Sequence, residues 1–341
     1  MKPQLNSAAI GSLSDTVILM AGTTPDGTQS AFAVSPKTIA SDNTESSTLT
    51  FTAKDAWGNA VSGIASSLNI EVKDSQNNVP AVGKITVSSI SETGTSGVYT
   101  ATLKGTLADV FSVKPKFNNA LVGTLGDSVT LKAGTTPDGT QSAFSVNPGS
   151  IVADNVDTST LTFTAKDVNG NAISGLGSSL SLDVKNSQNA APVVGKLTVS
   201  SITENGTTGV YTATLRGMLA DTYTVKPQFN SANIGALNGS VTLTADNTPD
   251  GQRSAFSATP VSIEANNTAT STLILNMKDT FGNAISGLAG DLTIEVKDSH
   301  GAEPATGKVT ISSVTEIATP GTYTATLKGT LAGAYLSLIH I

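Results

Sequence analysis

The side chains best placed for chemistry are an aspartate and an asparagine that share a short turn three times along the chain. Each turn reads Lys-Asp-x-x-Gly-Asn, and the pairs are Asp55 with Asn59, Asp167 with Asn171, and Asp279 with Asn283. Their oxygens suit calcium, which takes about six to eight oxygen ligands, several of them carboxylates. Turn formation explains the pattern better, because Asp accepts backbone hydrogen bonds, glycine adopts the left-handed conformation and Asn tolerates it. We therefore predict structural turns and no metal site.

Residues for catalysis are too few. The chain has two histidines, His300 and His340, and no cysteine, whereas a catalytic triad needs a base held against a nucleophile. The run Gly175-Leu176-Gly177 lacks the lysine and the helix of a phosphate-binding loop. Without cysteine, disulfides and thiolate metal sites are excluded as well. We predict that the protein is not an enzyme and holds no cofactor.

The elements that position these turns repeat with a period of 112 residues. Asp26-Gly27 recurs as Asp138-Gly139 and Asp250-Gly251. This period has the length of an independent domain, whereas solenoid units run to about 20–50 residues. Residues 1–21 are predicted to be the C-terminal remnant of a preceding Ig-like repeat. The first repeat is predicted at residues 30–133, the second at 142–245, and the third, truncated at its C-terminal strands, at 254–341.

Both ends of the sequence indicate a fragment of a longer protein. Lys2-Pro3-Gln4 aligns with Lys226-Pro227-Gln228 inside a repeat, and the tail Leu336 to Ile341 departs from the repeated sequence. On this interpretation the third repeat lacks its seventh strand and most of its sixth, while residues 13–21 are an unpaired copy of a seventh strand. We expect any export signal and anchor to lie outside the fragment.

Composition narrows the class of partner. The formal net charge is −7, only 13% of residues are charged, and lysine and arginine are scattered singly. Nucleic-acid binding needs a basic stripe or patch, so we predict no nucleic-acid partner. No apolar run approaches the roughly 18 residues that a membrane-spanning helix requires.

The segments between repeats contain a Pro-Asp-Gly turn. Proline presets its backbone angle and glycine accepts a positive one, so Gly27, Gly139 and Gly251 are expected at tight turns. A calcium ion at each joint would stiffen the array, with one aspartate per joint as a ligand: Asp26, Asp138 or Asp250. One carboxylate per joint is too few for that ion. We expect short, proline-bearing joints that limit swivel and give a semi-rigid, extended array.

Apolar and polar residues alternate with a period of two throughout each repeat. Ser47-Thr48-Leu49-Thr50-Phe51-Thr52 is a clear example, and no segment shows a helical stripe. Seven short strands in about 100 residues are typical of an Ig-like β-sandwich, with a barrel as the main alternative. The seven strands predicted in the first repeat lie near residues 30–39, 47–54, 67–73, 83–90, 97–104, 110–117 and 125–133.

Two sets of tyrosines are candidates for a tyrosine corner, in which a Tyr near the start of the sixth strand hydrogen-bonds to the backbone a few residues upstream. Tyr223 has the required position, two residues before the apolar Val225, although the first repeat has Phe111 there. Tyr99 is the second candidate. We prefer Tyr223 because a single strand follows it, and a simple core aromatic remains the other explanation.

Trp57, the single tryptophan, lies at the tip of the first Lys-Asp-x-x-Gly-Asn turn, where the later repeats have Asn169 and Phe281. An exposed aromatic at a turn tip is a good anchor for a ligand. We favour the other interpretation, that Trp57 folds back over neighbouring apolar residues.

The sequence resembles a known family. The run from Ser159 to Gly175, with the segments Gly-x-Tyr-x-Ala-x-Leu and Ala-Asp-Thr-Tyr-Thr-Val, resembles the bacterial Ig-like domain, group 1, and the resemblance extends over all three repeats. It implies an all-β array of tandem Ig-like sandwiches from an intimin/invasin-type adhesin of a Gram-negative bacterium. In that family an outer-membrane region anchors the chain and a tip domain binds host receptors.

We therefore predict a non-catalytic extracellular stalk on the cell surface, with any receptor bound by regions outside this fragment. The alternative is an array of carbohydrate-binding or accessory modules from a larger secreted protein. Aromatic residues make up only 4% of the chain, which argues against the exposed aromatic rows of such modules. The orphan strand at the start and the truncated third repeat also suggest self-association by strand donation.

Overall fold

The computed structural model describes residues 1–12 and 14–340 and divides into two compact units. One unit is Met1–Pro137 with Lys166–Ile173, and the other is Asp138–Ala165 with Ser174–Ile341. The Lys-Asp-x-x-Gly-Asn turn of the second repeat thus belongs to the same unit as the first repeat. No helix among the described residues is long and apolar enough to span a membrane.

The described residues of the first unit form twelve strands and a 3-10 turn at Ala65–Ser67. The strands are β1 (Gln4–Leu5), β2 (Ala8–Ala9), β3 (Ala31–Ser35), β4 (Thr38–Ala40), β5 (Ser47–Thr52), β6 (Leu68–Lys73), β7 (Ile85–Val87), β8 (Ser91–Glu92), β9 (Val98–Gly105), β10 (Asp109–Phe117), β11 (Ala120–Leu121) and β12 (Asp127–Lys132).

The second unit contains the strands of the second and third repeats. They are β13 (Ala143–Asn147), β14 (Ser150–Val152), β15 (Ser159–Thr164), β16 (Leu180–Lys185), β17 (Leu197–Val199), β18 (Thr203–Glu204), β19 (Val210–Gly217), β20 (Asp221–Phe229), β21 (Ala232–Asn233), β22 (Gly239–Thr244), β23 (Ala255–Thr259), β24 (Ser271–Asn276), β25 (Thr293–Asp298), β26 (Val309–Ile311), β27 (Thr315–Glu316), β28 (Thr322–Gly329) and β29 (Tyr335–His340).

Each of the first two repeats is a sandwich of two sheets. In the first repeat one sheet has the order β3-β5-β9-β7, with β8 also on β9, and the other has the order β4-β12-β10-β6, with β11 also on β10. All pairs are antiparallel except β4 with β12. The second repeat has the same order with β13, β15, β19 and β17 in one sheet and β14, β22, β20 and β16 in the other. Two separate sheets confirm the Ig-like sandwich over the barrel.

The predicted strand at residues 30–39 is two strands in different sheets. β3 pairs with β5, whereas β4 pairs with β12 on the opposite sheet. Pro36 lies between them and has no N–H to continue a ladder, so the chain leaves the first sheet there. The predicted strand at 83–90 is likewise shorter, at Ile85–Val87, and is followed by β8.

The inward side chains of both sheets form the core. In the first repeat Leu49, Leu103, Phe111 and Val129 belong to one buried cluster, and Tyr99 to a second one. Burial of each such side chain stabilises the fold by about 1.5–3 kcal/mol. The hydroxyl of Tyr99 donates to the Val61 carbonyl at 2.8 Å. Tyr99 is therefore a core residue that ties the loop after β5 to the sheet, and not the tyrosine corner.

The third repeat is incomplete among the described residues. One sheet has the usual order β23-β24-β28-β26, but the other contains only β25 and β29. The prediction that most of the sixth strand is lost is wrong, because β29 continues to His340 and pairs with β25 over six positions. Backbone pairing does not need the Lys-Pro pair that the tail lacks. Leu13 and Ile341, which the sequence assigns to the orphan strand and the tail, lie outside the described residues.

Candidate interaction site: the turn that joins one repeat to the next

The Asp side chain of each Lys-Asp-x-x-Gly-Asn turn organises the turn. One carboxylate oxygen of Asp55 accepts the N–H groups of Trp57 and Asn59 at 3.0 and 2.9 Å, and the other accepts that of Gly22 at 2.8 Å. The N–H of Gly58, whose φ is +84°, donates to the Asp55 carbonyl at 2.9 Å. These contacts confirm the predicted turn, in which the aspartate carboxylate accepts hydrogen bonds from backbone N–H groups.

Charge-assisted hydrogen bonds favour the ionised form of the Asp55 and Asp167 carboxylates and lower their pKa. The side-chain amide of Asn59 and the N–H of Gly22 lower the pKa of Asp55 from 3.8 to about 2. Burial by itself raises the pKa of Asp167, but hydrogen bonds from the side chain of Asn171 and the N–H of Gly134 outweigh it and leave that pKa below its usual value. An anion thus satisfies several N–H groups that would otherwise lack a partner.

In the second repeat the turn also binds the first repeat, within the first unit. The side-chain oxygen of Asn171 accepts the N–H of Ala108 at 2.9 Å, and its amide nitrogen donates to the Thr106 carbonyl at 3.0 Å. The same nitrogen lies 3.1 Å from the Ser41 hydroxyl, and the Asn169 side chain donates to the Ser41 carbonyl at 2.8 Å. We call these contacts the asparagine latch.

The latch recurs within the second unit, between the third repeat and the second. The side-chain oxygen of Asn283 accepts the N–H of Ala220 at 2.8 Å, and its nitrogen donates to the Met218 carbonyl at 3.0 Å. Asn171 and Asn283 are 7% and 4% exposed. Each latch uses both the donor and the acceptor of one amide, so it fixes the position of the turn on the loop that precedes β10 or β20.

A tyrosine corner braces the loop that receives the second latch. The Tyr223 hydroxyl donates to the Leu219 carbonyl at 3.2 Å, four residues upstream, and Tyr335 does the same to Leu331 at 3.0 Å. This confirms Tyr223 as the tyrosine corner. Leu219 lies between Met218 and Ala220, so the brace acts on the residues that contact Asn283.

The first turn of the chain has the same internal bonds but an uncovered outer face. Asn59 is exposed, and its side-chain nitrogen donates to the Asp55 carboxylate at 3.0 Å. Trp57 is 89% exposed, so the prediction that it folds back over apolar neighbours is wrong. Its counterpart Asn169 lies against the preceding repeat, which explains why this position points away from its own core.

The Pro-Asp-Gly turns have a different basis from the one predicted. Asp26 accepts the N–H groups of Thr28 and Gln29 at 2.8 and 3.0 Å, as expected of an Asp-initiated turn. Gly27 has no positive φ, which corrects the reason given for its glycine. A Cβ on Gly27 would lie 2.7 Å from the Cα of Gly123, so the position needs glycine because two backbones touch there.

The remaining candidates for chemistry are separate from one another. The backbone N–H of His300 donates to Asp298 in an exposed loop, and the side chain of His340 lies outside the described part of the chain. Among the described residues, no three His, Cys, Asp or Glu side chains are grouped as metal ligands are. The structure brings together the asparagine turns and the loops of the preceding repeat instead.

The latch was missed because sequence reasoning treated each turn alone. One signal for it was present: all three turns keep Asn at the last position, whereas the turn tip varies as Trp57, Asn169 and Phe281. Within each turn the amide nitrogen donates to the aspartate carboxylate, as Asn59 does to Asp55 at 3.0 Å. The amide oxygen is the group available to a partner outside the turn, and in Asn171 and Asn283 it accepts the N–H groups of Ala108 and Ala220.

Comparison with known proteins supports this architecture. The family model described as invasin, domain 3, matches residues 26–134, 138–246 and 250–337. A solved structure of FdeC, an Escherichia coli adhesin, is 28% identical with a TM-score of 0.59, and the match covers 95% of each chain. Yersinia pseudotuberculosis InvD is 22% identical with a TM-score of 0.56, over 92% of this chain and 84% of that one.

Invasin, described as a bacterial integrin-binding protein, has the same fold. It is 22% identical with a TM-score of 0.51, and the match covers 93% of this chain and 60% of the invasin chain. The three family matches begin at the Pro-Asp-Gly turns and together span most of the sequence. The chain therefore belongs to the invasin domain 3 family and consists of three tandem Ig-like domains of the adhesin type.

Proposed function

We propose that these repeats are the non-catalytic stalk of an adhesin on the surface of a Gram-negative bacterium. In this role they hold a receptor-binding region away from the cell, and an outer-membrane region elsewhere in the protein anchors the array. The observation that carries the proposal is the asparagine latch, which ties consecutive repeats together at equivalent residues. A spacer requires such joints, because freely swivelling domains do not hold a fixed distance.

The repetition itself also supports a spacer. Three copies of one domain present three copies of each surface, whereas catalysis usually needs one asymmetric site. The sequence is mildly acidic, and its singly scattered lysines and arginines do not form the basic run that polyanion binding requires. A host receptor or another cell-surface ligand is then bound by regions outside this sequence.

Solution scattering of two chain lengths tests the proposal. Deletion of residues 142–253 removes one period and joins residues that are equivalent in the repeat, so Asn283 is brought to the loop at Thr106 and Ala108, where Asn171 forms the latch in the full chain. Strands advance about 3.3 Å per residue, so removal of one repeat should shorten the maximum dimension by roughly 35–40 Å. An unchanged maximum dimension, or a compact particle of three repeats, would contradict the stalk.

The second candidate is an array of carbohydrate-binding modules, which the exposure of Trp57 favours. An exposed indole stacks well on a sugar ring, but the equivalent positions hold Asn169 and Phe281. A glycan array probed with the chain and with a Trp57→Ala variant separates the two functions. Glycan binding that the variant loses would favour the module function, and the stalk predicts no binding by either protein.

A further inference from the structure

The segment that opens the first repeat and the segment that closes it lie side by side and run in the same direction. Where the chain enters the repeat, Gly27 touches Gly123. Further along, the N–H of Val34 donates to the Asp127 carboxylate at 3.1 Å. β4 and β12 then pair in parallel. The chain therefore enters the repeat beside the start of β12 and leaves it at the opposite end of that strand.

Tension along the chain acts on this parallel pair in a particular way. A pull on the entry draws β4 backwards and a pull on the exit draws β12 forwards, so the two strands must slide past each other. The hydrogen bonds of a parallel pair are evenly spaced along the strands, so they share the load and must break together. Strands that are pulled apart from one end lose their hydrogen bonds one after another instead.

The parallel pair of the first repeat is closed at both ends. At its start the N–H of Thr130 donates to the Lys37 carbonyl at 2.9 Å, and the Lys37 ammonium lies 2.8 Å from the Asp127 carboxylate. At its other end the Lys132 carbonyl accepts both the N–H and the hydroxyl of Ser41, each at 2.8 Å. Sliding of β4 along β12 has to break all of these contacts.

The asparagine latch holds the same end of the pair as Ser41. The Ser41 carbonyl accepts the side chain of Asn169 at 2.8 Å, and the Ser41 hydroxyl lies 3.1 Å from the amide nitrogen of Asn171. The N–H of Gly134, just after β12, donates to the Asp167 carboxylate at 2.8 Å. The turn of the second repeat therefore bonds the chain just after β4 and the chain just after β12.

The second repeat has the same parallel pair, formed by β14 and β22. The N–H of Thr242 donates to the Gly149 carbonyl at 2.9 Å. At the other end the N–H of Ala153 donates to the Thr244 carbonyl at 2.8 Å. The Thr244 hydroxyl adds a longer bond, of 3.4 Å, to the Ile151 carbonyl. The backbone contacts that close the pair are thus common to both repeats.

Three side chains that close the pair in the first repeat have smaller counterparts in the second. The replacements are Lys37 by Gly149, Asp127 by Gly239, and Ser41 by Ala153. The second repeat therefore has neither the ion pair at the start of the strands nor the serine hydroxyl at their end. Glycine also weakens β22, because it has no side chain to pack inside a strand.

We propose that the parallel pair is a mechanical clamp that keeps each repeat folded under tension, and that the second repeat, which has the weaker clamp, unfolds first. The inference rests on the proposed stalk function, because a domain between an anchor and a bound ligand is pulled at both ends. Unfolding of one repeat lengthens the array by roughly 350 Å, since an extended chain spans about 3.3–3.6 Å per residue. The second repeat thus extends the stalk while the first stays folded.

Single-molecule force spectroscopy of the full chain tests the clamp through the direction of the pull. The chain has no cysteine, so pairs of introduced cysteines define where the two handles attach. Thr23→Cys with Thr135→Cys, at exposed positions one period apart, loads the first repeat at its entry and its exit and slides the strands. Thr44→Cys with Thr135→Cys pulls both strands from the same end and peels them apart.

Sliding should need roughly three times the force of peeling, because the pair spans three register positions that share the load in one case and open in turn in the other. Equal urea midpoints of the two variants verify that the difference is mechanical. Equal forces in the two directions would overturn the clamp. The stalk is tested separately, because an elongated array without this difference in force would keep the stalk and refute the clamp.

A pull across both repeats, in Thr23→Cys with Asn247→Cys, tests the order of unfolding. Two unfolding events of equal length are expected at different forces. Ser41→Ala with Asp127→Gly gives the first repeat the residues of the second and should lower the stronger event towards the weaker one. Val79→Ala also copies the second repeat, but at a position that is 72% exposed and outside the clamp, so it should change neither force. A lowered weaker event, or an unchanged stronger one, would refute the order.

Tyr99→Phe separates mechanical strength from overall stability. Tyr99 belongs to a different core cluster from Ile39 of β4 and Val129 of β12. The substitution removes the hydrogen bond to the Val61 carbonyl, so it should lower the urea midpoint and leave the sliding force of the first repeat unchanged. A sliding force that falls together with the urea midpoint would show that the whole core, and not the clamp, resists the pull.

Discussion

The turn at Asp55 and the turn at Asp167 have the same internal hydrogen bonds and different surroundings. Both carboxylates accept three backbone N–H groups, and Gly58 and Gly170 both have φ near +85°. Only the second turn is covered by the loop of the preceding repeat, so Asn171 is buried while Asn59 is exposed. The turn is thus complete before it binds, and the latch adds a contact between preformed surfaces.

Loss of the Asp167 carboxylate should have the largest effect. Asp167→Ala leaves the N–H groups of Gly134, Asn169 and Asn171 without their acceptor in a covered site, at a cost of about 3 kcal/mol in the free energy of unfolding. Asp55→Ala should cost less, because Asn59 in that turn is exposed, whereas Asn171 is buried against the preceding repeat. Urea unfolding of both variants measures the difference. Equal losses would mean that the covering loop contributes nothing.

The latch itself can be removed at one residue. Asn171→Ala leaves the Ala108 N–H and the Thr106 carbonyl without partners, so we expect a loss of about 2 kcal/mol. Hydrogen exchange at Ala108 should accelerate because its N–H loses its acceptor. Asn59→Ala is the matched control on the open turn, with an expected loss of under about 1 kcal/mol. A slow Ala108 amide in Asn171→Ala would show that the latch does not hold the loop.

The hydrogen bond of the tyrosine corner, which braces the second latch, should contribute less to the free energy of unfolding. Tyr223→Phe removes one hydrogen bond to the Leu219 carbonyl and should lower stability by about 1 kcal/mol. The reverse substitution can be made in the first repeat, because Phe111 occupies the position equivalent to Tyr223. Phe111→Tyr should stabilise by a similar amount if its hydroxyl reaches the carbonyl of Leu107. Thermal unfolding of the two variants should therefore shift in opposite directions.

Acid should open the exposed turn only at very low pH. The pKa of Asp55 is lowered from 3.8 to about 2, so its contribution to stability is complete above about pH 4 and is lost as the pH falls towards 2. The amide proton of Trp57, which donates to this carboxylate, reports the change in an NMR titration. A midpoint near 3.8 would show that the hydrogen bonds do not favour the ionised form.

Much of the fold follows from local sequence, as Ser47-Thr48-Leu49-Thr50-Phe51-Thr52 shows. Its alternation places Leu49 and Phe51 in the core, and the 112-residue period gives the number of repeats. The site was less accessible, because the partners of Asn171 lie more than 60 residues away at Thr106 and Ala108. Local turn rules account for Asp167 completely, so they give no reason to expect that Asn171 also binds the preceding repeat. Trp57 was misjudged for the same reason, since its orientation depends on what precedes the repeat.

The contact between Gly27 and Gly123 has a genetic consequence. These glycines lie near opposite ends of one repeat, and Gly139 meets Gly235 in the same way in the next. In both repeats a glycine near the N-terminal end therefore contacts a glycine near the C-terminal end, and the two pairs occupy equivalent positions. An unequal crossover between gene segments in phase therefore yields hybrid repeats that keep this glycine-to-glycine contact, so a change in the number of repeats does not disrupt it.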